Sequence, residues 1–573
     1  MAVLGRASFE VQLYRDGRWV INDTLSDEEA ARRKAKDLLA LKDTQGVRIV
    51  KEAIFAGDSR RESEIFKQMK EVEKGDDFTV AAVDEAPLCE KVADYYQTAA
   101  RTTMARLFSK YLEKHEMTPM ELLHSHKSLK RMLNIDTMVP SAVDKIASLH
   151  ARVSGGDARK CKDVIYAAVE SIAKRAREVD QRELPELKGS TLDELWRRMD
   201  ARFSDVEERN YLAHVAFART SINWAGWLGK MSELLPMAQS QKDERARAMI
   251  DGMLADIFVA KTVIKDVIGV SKHLGDAVMR ILDLVEGKCK PTKFAVEELV
   301  GLLNQLFAAD LLPRSKQVLF DRLERDLDSA VRLTNGEDGS SDKVFFDTIL
   351  ERVVTEHGVI GGSPVAFGLT ARWARISNVG GATGRKRAVE GVRDKLPSGK
   401  RKFIYLLAMY DPKSEPDIKA LVESQVRDLG GQLNTIQKIA PEARTEKTRL
   451  QEVAGMQRLV LDSQLPPRLR DPVAAKFDEL VSDYIISQGV IERLDDKRLA
   501  FRERATRLVT FCASGVLTVG RATTIARDNI VSYLRRKDFI AEFTDGIPEA
   551  ADKEAAIKEF YSLLSKTGFD VKG

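Results

Sequence analysis

The chain has 573 residues, with 92 basic and 88 acidic side chains giving a formal charge of +4. A balance so near neutrality excludes a global field that would make nucleic acid or an anionic membrane an obligate partner. An apolar share of 44%, 31% charged residues and only 16 prolines exclude a disordered or low-complexity chain.

Length predicts roughly three or four domains or one extended helical array. The four cysteines, Cys89, Cys161, Cys289 and Cys512, are far apart with no CxxC pair. That spacing predicts reduced thiols in a cytoplasmic protein rather than a disulfide scaffold. Met1 to Tyr14 carries Arg6 and Glu10 and lacks the apolar run of a signal peptide. The longest uncharged stretch, His357 to Ala371, is interrupted by Gly358, Gly361, Gly362 and Pro364. It falls short of the ~20 apolar residues a bilayer requires, so no membrane span is expected.

In chain order, residues 1–55 read as a small α/β module of ββαβ type. Phe9, Val11 and Leu13 alternate with Glu10 and Gln12 along a first strand, and Asp16-Gly17 supplies a hairpin turn before Trp19 and Ile21. Ser26 and Glu29 have capping-box spacing, with Leu25 and Ala30 placed as a hydrophobic staple. Ala31, Ala35, Leu38 and Leu39 continue a helical stripe. Gly46 releases the chain into a third strand, Val47 to Ile49. Residues 56–87 form a connector, with a short helical pattern around Ile65 and Met69 and a strand pattern at Phe78 to Val83.

From Cys89 onward the pattern is helical. Val296, Leu299, Val300, Leu303 and Phe307 make the clearest buried stripe. Breaks are expected at points that include Ser154-Gly155-Gly156, Leu235-Pro236, Leu312-Pro313, Gly361-Gly362 and Leu465-Pro466-Pro467. Residues 334–342, with Gly336 and Gly339, are the expected mobile linker between a helical region 88–333 and another at 343–573. A last stripe, Ala556, Phe560, Leu563 and Leu564, ends before Gly568 and Phe569. No fixed repeat period supports a regular solenoid. The expected fold class is therefore mainly α, a multi-helical array or set of bundles behind a small N-terminal α/β module.

Chemistry is sparse. Asn378 to Arg387 is rich in glycine, but Lys386 lies between two arginines instead of preceding Ser or Thr, so it is not a Walker A loop. Its wider window, 371–402, holds ten basic residues against Glu390 and Asp394, a local charge of +8 in a chain of +4. Arg372 and Arg375, with Arg385, Lys386 and Arg387, are the candidate anion-binding residues. The competing reading gives these side chains to acidic helices elsewhere in the chain.

His124 and His126 would diverge on a helix and could not share a metal. The other histidines have no companion at ligand spacing, so no metal or cofactor is expected. Gly362-Ser363-Pro364 is not a nucleophile elbow, and Cys512 sits among apolar residues as core. These features predict a non-enzymatic helical adaptor or scaffold of a cytoplasmic assembly or signalling system. It would dock through its N-terminal module and have a protein partner or self-association. The alternative is a protein that binds a phosphate-bearing ligand, nucleotide-like or nucleic acid, through 371–402.

Overall fold

The computed structural model describes residues 7–15, 18–40, 44, 46–54, 60–69, 78–187, 191–336, 339–412 and 414–567. Asp16-Gly17 and Gly568-Phe569 lie outside them. The chain divides into two compact units, Met1–Val80 and Ala81–Gly573. No helix among the described residues is long and apolar enough to cross a membrane.

The first unit is a four-stranded antiparallel sheet backed by one helix. Its elements are β1 (Ala7–Arg15), β2 (Arg18–Leu25), α1 (Glu28–Ala40), β3 (Gly46–Ile54) and β4 (Arg60–Met69), and the strand order is β2-β1-β3-β4. In β1, the side chains of Phe9, Val11 and Leu13 fall on one face, as the period of two requires. There they meet Val47 and Ile49 of β3 and Ala31, Ala35 and Leu38 of α1.

Three expectations change here. The helix is capped by Asp27, not Ser26, because the Asp27 carboxylate accepts from the Ala30 N–H at 2.8 Å. The segment around Ile65 and Met69 is the strand β4, not a helix. It pairs along β3, with a bulge at Ile49/Val50 that skips Ile65. The bulge turns both Ile65 and Phe66 toward the core and destroys the alternation by which a strand is recognised. Phe78 to Val83 belongs to no strand.

The second unit is helical. One contiguous set of buried apolar side chains joins Met120 to residues from Val179 through Leu564. The Glu297–Ala308 helix buries Leu299, Val300, Leu303, Leu306 and Phe307, the stripe read from the sequence. Leu235-Pro236 is not a break, since Pro236 lies inside the Gly226–Ser240 helix. Proline there removes one backbone hydrogen bond. Burial of Met231, Leu234 and Leu235, all fully covered, keeps the helix continuous through it.

Around 334–342 the Thr334 N–H and hydroxyl both donate to Asp342 Oδ1, at 2.9 and 2.6 Å. Asn335 Nδ2 donates to the Lys272 carbonyl at 3.1 Å, and Leu333 is fully buried. Core side chains on both sides of this segment belong to the same contiguous set.

Candidate functional site

The residues of the basic window separate once folded. Arg372 points inward from the Gly362–Ile376 helix and is 3% exposed. Its Nη1 donates to the Val331 carbonyl at 2.7 Å and its Nη2 to the Asp326 carbonyl at 2.9 Å. Arg372 thus satisfies carbonyls at the C-terminal end of the Pro313–Asp328 helix. Arg375 pairs with Asp328 at 3.0 Å, and Arg385 spans both oxygens of Glu415 at 2.6 and 2.7 Å.

Lys386 lies 3.3 Å from Asp417, while Arg387 is exposed and has no ion-pair partner among the described residues. Lys395 binds Asp347 at 2.8 Å and covers the Trp373 ring, Lys400 binds Glu452, and Arg401 binds Glu356 at 2.7 Å. Arg385, Lys386 and Arg387 stand on a helix, Gly381–Lys395, rather than in a loop. Arg375 and Arg385 border a cleft of about 690 Å³, each with its carboxylate partner beside it.

A second cleft, of about 440 Å³, gathers a different set of side chains. Tyr96 enters from the Val92–Tyr96 turn, Arg101 from the Thr98–Leu107 helix and His124 from the end of Pro119–Leu123. Arg175 comes from Ala158–Val179, Trp196 from Leu192–Arg202 and Arg314 from Pro313–Asp328. The Val206–Ser221 helix contributes Glu207, Asn210, Tyr211 and His214, whose spacing of three, four and seven puts them on one face.

The floor of this cleft is a buried polar network. Arg101 Nε lies 3.1 and 3.0 Å from the two oxygens of Asp256, and its Nη1 and Nη2 donate to the carbonyls of Tyr96 and Gly252 at 2.7 and 2.9 Å. Asp256 also accepts from the Met120 N–H at 3.0 Å. Burial raises the Asp256 carboxyl above its usual range, and the Arg101 charge opposes that rise. A Cβ on Gly252 would sit 2.8 Å from Arg101 Nη2, so this helix position needs glycine for close approach. Behind it, Lys230 is clamped on Glu121 at 2.7 and 2.5 Å.

Four rings pack together over that floor. His124 lies 5.1 Å from Tyr96, 5.1 Å from Tyr211 and 5.3 Å from His214, with the two imidazoles nearly parallel. His124 Nδ1 is 2.7 Å from the Met120 carbonyl and His214 Nδ1 is 2.7 Å from the Asn210 carbonyl. A carbonyl only accepts, so each Nδ1 carries the proton and each Nε2 presents a lone pair. Burial is the main cause that lowers both. His214 falls to about 4, helped by the charges of Arg101 and Arg314; His124 falls well below 6.5, helped by His214, Arg101 and Arg175. Both rings are neutral at pH 7.

Positive charge dominates the wall. Arg175 sits 4.0 Å over the Tyr211 ring, and Arg314 reaches the Ala248 carbonyl. Arg245 covers Trp196 at 4.6 Å and is held by Asp200 and Asp243 at 2.8 and 2.7 Å. Glu207 is the acidic residue of the lining. Trp196 Nε1 and the hydroxyls of Tyr96 and Tyr211 are sealed from solvent. The two tyrosine hydroxyls are turned to one another, and that of Tyr96 to Arg175 as well, so they interact within the wall.

Among the described residues, no group of three or more His, Cys, Asp and Glu could hold a metal. Burial raises the Cys512 thiol to about 11, which suits a packed side chain and not a nucleophile. Sequence reading missed the pairing of His124 with His214 because nothing local links them. The findable signal was the Val206–Ser221 helix: Leu212, Ala213, Val215, Ala216 and Phe217 are all buried, so its polar stripe faces something other than open solvent.

Comparison with family models, curated proteins and solved structures gives no match.

Proposed function

We propose that the Ala81–Gly573 unit is a helical binding body whose smaller cleft takes a small anionic ligand. The observation that carries this is the convergence of Arg175 and Arg314 with Arg101 and the neutral His124 and His214 rings on one cavity. Donors and cations together suit an oxyanion. The cavity volume of about 440 Å³ lies within the usual range for small-molecule sites. The anion-binding reading thus rests on the cleft rather than on 371–402, where most cations already face carboxylates.

The test is calorimetric titration of the full chain with a panel of phosphate and carboxylate compounds. Arg175→Ala is expected to weaken the bound anion by about tenfold, one charge-assisted hydrogen bond, while leaving the melting temperature within a few degrees. If no member of the panel binds below millimolar concentration, the reading fails.

The adaptor reading keeps one supporting observation in the first unit. β2 ends the sheet order, and its Val20 and Ile21 are 45% and 55% exposed, so a partner strand could add along it. Replacing both with lysine should abolish capture of that partner without unfolding the module, because neither side chain belongs to its core. With its four cysteines free, we place the protein in a reducing cytoplasm.

A further inference from the structure

We infer that the ligand of the smaller cleft is a hydroxylated anion, its oxyanion held by Arg175 and Arg314 and its hydroxyls donating to Nε2 of His124 and His214. The inference rests on the anion-binding reading and adds what the two imidazoles require.

Each backbone carbonyl fixes its histidine with the proton on Nδ1, and no hydrogen bond to either Nε2 occurs among the described residues. Two lone pairs therefore face a cavity rich in guanidinium. A bare oxyanion against them would meet repulsion, electron pair against electron pair. A metal cation would suit the imidazoles but not the neighbouring Arg101, Arg175 and Arg314, and the lining supplies one carboxylate to offset them.

A hydroxyl resolves the conflict, because it donates to Nε2 while accepting from a guanidinium N–H of Arg175 or Arg314. One molecule that carries both an oxyanion and hydroxyls meets the guanidiniums and the two imidazoles together. Glu207 offers a further acceptor at the rim of the same helix face. Sugar phosphates and sugar acids share this chemistry, and burial keeps both imidazoles in the accepting form at neutral pH.

The experiment compares matched probes on the full chain at pH 8, where a phosphate monoester is a dianion and has no proton of its own to donate. Glycerol 3-phosphate is set against methyl phosphate, and gluconate against acetate. Two hydroxyl-to-imidazole hydrogen bonds predict about a tenfold advantage for the hydroxylated member of at least one pair. The pair that shows the advantage identifies phosphate or carboxylate as the anion.

In His214→Phe the ratio of affinities within the pair should shrink to about threefold. Should that variant lose its fold, the wild-type comparison alone decides. Equal binding within both pairs overturns the hydroxyl inference and leaves the anion reading standing. Absence of binding by all four overturns both.

Discussion

Lys230→Met is expected to destabilise the helical unit by about 3–5 kcal/mol, the cost of leaving a buried carboxylate without its counter-ion. Lys230 and Glu121 side chains are 2% and 0% exposed. The ammonium contacts both Glu121 oxygens and also donates to the Glu116 carbonyl at 2.7 Å. Methionine preserves most of the stem volume but removes all three donors. Glu121 would keep only its contacts to Thr118, whose N–H donates to it at 2.8 Å.

Urea denaturation of the full chain, followed by far-ultraviolet dichroism, should show the midpoint of the helical unit move down with little change in slope. Lys230→Met with Glu121→Gln should recover part of the loss, since the amide still accepts from Thr118 but has no charge to desolvate. A single variant within about 1 kcal/mol of wild type would show that the pair is not needed.

The same substitution reaches the cleft through a five-residue helix. Pro119–Leu123 is too short to hold itself. Its position is set by Glu121 on Lys230 and by the Met120 N–H on Asp256. Met120 in turn supplies the carbonyl that fixes His124. Loss of the ion pair should therefore weaken anion binding as well as stability, whereas Arg175→Ala should affect binding alone.

How much of this could be read from the sequence depends on the range over which the information is held. The alternation of Phe9, Val11 and Leu13 and the stripe of α1 are local, and both are present in the folded module. β4 was illegible because its bulge breaks the period of two, leaving Ile65 and Met69 at a spacing that imitates a helix turn. Pro236 was read as a break because local chemistry forbids it mid-helix, and the burial that overrides this is tertiary.

Charge behaves in the same way. The density of 371–402 is visible in the sequence, but Asp328, Glu415, Asp417 and Glu356, which face its cations, lie outside the window. The smaller cleft draws its groups from Tyr96 to Arg314 across eight elements, and its two histidines are joined only by the packing of Pro119–Leu123 against Val206–Ser221. No spacing rule spans that distance. A polar face on a helix otherwise buried was the one local trace.

The histidines also make the helical unit acid-sensitive in a way that can be isolated. In the unfolded chain a histidine titrates near 6.5, whereas folded His214 titrates at about 4 and His124 well below 6.5. Above pH 6.5 both states are neutral and the shift has no effect. Below it the unfolded chain takes up protons that the native state refuses, so stability falls with pH at up to ~1.4 kcal/mol per unit for each histidine. For His214 the loss levels off near pH 4, at about 3 kcal/mol.

Arg101, Arg175 and Arg314 face the pair from the neighbouring helices and oppose its protonation, while Asp256 is already engaged by Arg101. Carboxylates held down by arginines, among them Asp200 and Asp243, also lose stability in acid, but they do so equally in a variant. The measurement is therefore the difference in unfolding free energy between wild type and His214→Phe from pH 7 to pH 4. The variant should lose less stability over that interval by about 3 kcal/mol, whatever offset it shows at pH 7. Parallel curves would mean that His214 titrates in the folded chain as it does in the unfolded one.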